Sequence, residues 1–194
     1  MEPVSLFSAD SIWTMLHGIA LGGGTLLALA AALFALTCMG TGFAAAPSDR
    51  SAAGGFVSSE ADVRRARRLA LLLVGIAVLV WFTVIGGTYI VFPSYRIAPP
   101  GGATDLSEYP RALLLASGDT AWLHRYAMET KEHVPWIAAI LATAAAFVGV
   151  RNRPRLLSNG RVRQVVTGLT AAVFVIVAYV SLLGVFVNKV APLD

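Results

Sequence analysis

Residues 69–92 read LALLLVGIAVLVWFTVIGGTYIVF, without one acidic or basic side chain. As a helix rising about 1.5 Å per residue, this run reaches about 36 Å, enough to cross a hydrocarbon layer roughly 30 Å thick. Three more uncharged apolar runs lie on either side of it: 12–39, 134–150 and 165–187. The third run is the shortest and spans the layer only if its helix extends past its apolar residues. Pro135 falls in its first turn and predicts a helix that continues through a kink, because proline removes the hydrogen bond back to Lys131. Ser8, Asp10 and Ser11 supply helix-start chemistry before the first run. Trp13, Tyr89 and Trp136 suit the membrane–water boundary.

Composition points the same way. The chain has 194 residues, 57% hydrophobic and 13% charged, and its mean hydropathy is +0.71. A soluble domain of this size keeps a larger polar exterior, so the missing apolar solvent is a lipid bilayer. The expected fold class is an all-α integral membrane protein, a single domain of four transmembrane helices in an up-down bundle, with segment 93–133 forming a structured extracytoplasmic loop.

The net charge of +4 and the pI of about 9.6 do not point to nucleic acid. The basic residues cluster in two connections: Arg50, Arg64, Arg65, Arg67 and Arg68 in one, Arg151, Arg153, Arg155, Arg161 and Arg163 in the other. Around the middle connection Arg96, Arg111, Arg125 and Lys131 are offset by Asp105, Glu108, Asp119, Glu129 and Glu132, and the N-terminus carries Glu2 and Asp10. Basic residues stay cytoplasmic, so both termini are expected outside a cell membrane of the inner or plasma type. Ala44-Ala45-Ala46 before Pro47 resembles a signal cleavage site. No basic residue precedes the first apolar run, however, and that run is too long for a usual signal core, so it is expected to be retained as a span. Pro47 to Gly55 is rich in small and polar residues and predicts a linker. Pro93 to Leu106 is expected to be irregular and Glu108 to Leu115 a short surface helix, with Asp119 or Thr120 capping the helix that follows.

All three histidines, His17, His124 and His133, fall on the expected outer side. His17 lies one turn inside the first span and His133 just before the third, at similar depth. Two imidazoles from different helices are what a bis-histidine b-type haem needs. His17 and His133 are therefore the candidate haem ligands, with Arg125 and Lys131 as candidate propionate partners. Gly18, Gly22, Gly23, Gly24, Gly86 and Gly87 would let a large ring approach. A quinone head is the other candidate occupant. The same histidines and glycines also serve ordinary helix–helix hydrogen bonding and close packing. His124 and His133 fall on opposite helix faces about 13 Å apart, so they cannot share one metal, and His124 is expected to be exposed and structural. Glu129 and Glu132 with His133 and His17 form an alternative metal site, though the i, i+4 pair Glu129/His133 equally stabilises a helix. No phosphate loop and no GxSxG is present, the centres of the spans carry no charge, and no catalytic residue is assigned. The lone Cys38 rules out an intrachain disulfide and a CxxCH haem attachment.

In architecture alone, four spans with outer histidines resemble the four-helix cytochrome b membrane subunits. That resemblance implies electron transfer between partner proteins and quinone. Histidines are absent from the inner half, which leaves room for one haem, near the outer face. The leading expectation is a subunit of a redox or respiratory complex holding one b-type haem or a quinone near the extracytoplasmic face, with other membrane or extracytoplasmic subunits as partners. The rival is a non-catalytic accessory or assembly subunit whose 93–133 segment is a docking surface.

Overall fold

The computed structural model of the protein describes residues 8–41 and 60–192. Glu2, Arg50, Ala44–Ala46 and the Pro47–Gly55 segment lie outside them. The described residues are predominantly helical, with no strand among them. Four helices are long and apolar enough to cross a membrane: Ser11–Met39, Glu60–Tyr95, Leu123–Arg151 and Gly160–Val190. Large apolar side chains cover their outward faces. Leu27, Phe34, Phe82 and Phe147 are each at least 65% exposed, which water would penalise and acyl chains would not.

Each helix is longer than its apolar run, for local reasons. The second begins at Glu60, so Arg64, Arg65, Arg67 and Arg68 are helical rather than in a loop. Glu60 and Asp62 suit the positive end of the helix and pair with Arg64 and Arg65 at 3.0 and 3.7 Å. The same helix runs on through Pro93 to Tyr95, because proline is tolerated in the first turn of the short segment Phe92–Tyr95. The fourth starts where Asn159 Oδ1 accepts the N–H groups of Arg161 and Val162. Ser8 caps the first by accepting the N–H of Ser11 at 3.0 Å.

Two compact units divide the chain. The second unit, residues 25–80 and 138–175, has an apolar core of Leu29, Leu36, Leu73, Val80, Val166 and Val173. The third span contributes a small-residue face, Ala138, Ala142, Ala145 and Gly149, all buried. At Gly149 a Cβ would lie 2.7 Å from Leu73 Cδ1, so the Leu73 side chain packs onto the third span where glycine leaves room for it.

The first unit comprises residues 8–24, 81–137 and 176–192. Its core holds Tyr95, Leu114, Leu123, Met128, Leu183 and Val187, with Phe92 and Leu113 packed against them. Trp81 and Trp136 meet edge to face at 5.9 Å. The connection between the second and third spans is irregular from Ile97 to Tyr109, as expected, and carries the short helix Pro110–Leu115. Asp105 accepts the N–H of Ser107 at 3.0 Å, which holds its carboxyl below the ordinary aspartate range. Thr120 does not cap the third helix, since its hydroxyl donates to the carbonyl of Leu114 at 2.8 Å.

Candidate functional site

Three helical segments in the first unit widen into π geometry: Leu16–Gly23, Gly87–Val91 and Leu123–Met128. A π segment interrupts the regular hydrogen-bond ladder and is frequently found at functional sites. His17 lies on the first of these, Gly87 opens the second, and His124 and Arg125 lie on the third.

The His17 ring rests directly on the second span. A Cβ at Gly87 would stand 2.7 Å from its Cε1 and 3.0 Å from its Nε2. Only a residue without a side chain lets the imidazole lie this close to the neighbouring backbone. A Cβ at Gly22 would lie 3.5 Å from the His17 carbonyl oxygen and 3.8 Å from Ser181 Oγ of the fourth span. Gly18, Gly23, Gly24 and Gly86 would meet nothing within 4 Å. Of the glycines expected to admit a large ring, Gly87 instead receives the histidine itself.

Two polar atoms on this face of the first span are buried and make no hydrogen bond among the described residues: Thr14 Oγ1 and His17 Nδ1. They are three residues apart on one helix and so lie one above the other. A buried polar atom without a partner costs about 1–3 kcal/mol, so an adjacent pair marks a place where a polar ligand or water belongs. Lys131 approaches from the third span. Its Nζ lies 2.9 Å from the position of a Gly184 Cβ on the fourth, and its charge acts on the His17 ring. No carboxylate pairs with Lys131 among the described residues, and its side chain is half-buried. Pro135 cannot donate to the Lys131 carbonyl, which leaves that oxygen without its helical partner as well. All four spans thus contribute to one region, with side chains Thr14, His17 and Lys131 and close approaches at Gly87 and Gly184.

His133 is placed differently. Its ring is exposed, and Nδ1 donates to the carbonyl of Glu129 one turn back at 2.8 Å. Lys131 and His133 stand two positions apart, about 200° around the helix, so the side that carries Lys131 to His17 does not carry His133 there. Arg125 and Glu129 are exposed, and Glu132 is half-buried among the charges of Glu129, His133, Arg96 and Arg111. Among the described residues, no three or more of His, Cys, Asp and Glu gather as a metal would need.

His124 is half-buried rather than exposed, its Nδ1 2.8 Å from the hydroxyl of buried Tyr95. Tyr95 stacks on Phe92, and the Arg96 guanidinium lies over the same Phe92 ring at 5.5 Å. Thr14, Tyr95 and Gly184 carried no sequence signal. The i, i+3 spacing of Thr14 to His17 could have drawn attention to the first of them.

Compared with protein-family models, curated proteins and solved structures, the chain matches none.

Proposed function

We propose that the protein is the membrane subunit of a redox complex and that Thr14, His17 and Lys131 hold the head group of a lipid-soluble quinone. The observation that carries this is the pair of buried, unpartnered atoms three residues apart on the first span, Thr14 Oγ1 and His17 Nδ1, with the charge of Lys131 acting on the same imidazole. A quinone offers two carbonyl oxygens on an apolar frame. The lysine ammonium and the His17 ring N–H are donors for those oxygens, and the Thr14 hydroxyl can donate or accept. When the head group is reduced it needs protons and gains negative charge. His17 Nδ1 is placed to hold such a proton, and Lys131 to stabilise the charge.

The arrangement fits a quinone better than a haem held by His17 and His133. A bis-histidine haem would require the His17 ring to leave Gly87, and its second ligand lies on the exposed side of the third helix. In this proposal the four spans run up and down in a cell membrane. The arginine-rich ends 64–68 and 151–163 face the cytoplasm, both termini face outward, and the connection 96–122 lies at the extracytoplasmic surface.

Tryptophan fluorescence during titration with a short-chain quinone tests the proposal, since Trp13 adjoins Thr14. Saturable quenching by the native chain, abolished in His17→Ala and Lys131→Met, is expected. A reduced-minus-oxidised spectrum with a b-type haem band lost in both His17→Ala and His133→Ala would replace quinone by haem. A chain that binds neither would be an accessory subunit.

A further inference from the structure

A second polar site stands apart from His17, where the second span leaves the apolar layer. A depression of about 200 Å³ is flanked by Arg96 and Arg111, with Ile97, Pro99, Ala112 and Leu115 among its walls. The arginines come from different elements: Arg96 directly follows the second span, and Arg111 lies on the helix Pro110–Leu115. The Arg96 guanidinium lies over the Phe92 ring at 5.5 Å, a cation–π contact that uses none of its N–H groups as hydrogen-bond donors. Neither arginine makes an ion pair within 4 Å among the described residues, although the charge of Glu132 bears on both. Ile97 and Leu115 beside them are 53% and 40% exposed.

We infer that this depression binds the phosphate of an anionic phospholipid, with Arg96 and Arg111 holding its oxygens and Ile97 and Leu115 lying against its acyl chains. Two arginines that line one small depression and make no ion pair among the described residues suit the oxyanions of a phosphodiester. The cavity is too small for a drug-sized organic ligand. A soluble phosphate would satisfy the arginines but would leave the two exposed apolar side chains facing water, whereas a lipid covers both. Arginine also needs a reason to stand at this end of the chain, away from the two arginine clusters, and a lipid phosphate supplies one.

Native mass spectrometry of the full chain in detergent, titrated with phosphatidylglycerol, provides the test. The native chain should hold one lipid more tightly than Arg96→Gln/Arg111→Gln by about tenfold or more, the loss of at least one charge-assisted hydrogen bond. Arg151→Gln/Arg155→Gln, at the other end of the third span, should leave that lipid in place. Arg111→Lys, which keeps the charge without the fork, should weaken binding in part. Equal lipid retention by the native chain and Arg96→Gln/Arg111→Gln overturns the inference. So does binding of inorganic phosphate as tight as that of phosphatidylglycerol, which would identify the ligand as a soluble anion.

Discussion

Replacing Lys131 by methionine separates a ligand-binding lysine from a structural one. Methionine keeps the length and apolar stem of the side chain and removes the charge. A lysine at the centre of a membrane helix costs about 2.5–3.5 kcal/mol on insertion scales. Lys131 stands three residues before the apolar run and is half-buried, so its cost is nearer ~1 kcal/mol. With no carboxylate partner among the described residues, nothing offsets that cost, and Lys131→Met should stabilise the quinone-free protein. For a chain of this size, ~1 kcal/mol raises Tm by about 2–4 °C. The ligand should respond in the opposite sense. A hydrogen bond from a charged donor contributes about 1.5–3 kcal/mol, so quinone affinity should fall roughly ten- to a hundredfold. Thermal unfolding in detergent, followed by tryptophan fluorescence with and without a short-chain quinone, reads both quantities. A lower Tm for quinone-free Lys131→Met would refute the reasoning, because it would mean that the ammonium stabilises the fold.

Other consequences follow from single contacts. Gly87→Ala places a methyl group 2.7 Å from His17 Cε1 and must move the ring. Since a ring end can swing aside, Tm should change by little while quinone quenching is lost; unchanged quenching would detach His17 from the site. Gly149→Ala meets Leu73, a core residue 2% exposed, and overpacking there costs about 1–3 kcal/mol against a helix-propensity gain of about 1. Its Tm should fall by a few degrees with binding kept, and a rise would show that the second and third spans are looser at this level than the contact implies. Asp105 is held below its ordinary pKa by Ser107, so the contact persists above the unfolded aspartate value and is released only as pH falls through the lowered one. The Ser107 amide shift followed by NMR should titrate with a midpoint below the ordinary aspartate value; a midpoint at or above that value would deny the bond.

The spans were legible because a run of uncharged apolar residues has no soluble alternative. Their ends were not, since Arg64 to Arg68 read as a loop, whereas the helix begins at Glu60, and Glu60 and Asp62 pair with Arg64 and Arg65 within it. His17 was legible as an imidazole within the first apolar run, but its contact with Gly87 was not. An ideal helix carries His124, Met128 and Lys131 on one face. The π segment Leu123–Met128 alters that spacing, and no residue pattern announces it. Thr14 was passed over because threonine in a membrane helix usually bonds its own backbone, and only the structure leaves its oxygen without a partner. Gly87 looked like room for a ring, and Gly184 carried no signal at all. They are the surfaces on which His17 and Lys131 lie, a distinction that depends on which helix faces which.

The most direct test of the central claim is the quinone content of protein purified from quinone-replete membranes, measured by solvent extraction and chromatography. The account predicts about one quinone per native chain, retained in His133→Ala and lost in His17→Ala and Lys131→Met. Native protein without quinone, or equal content in all four proteins, would contradict it.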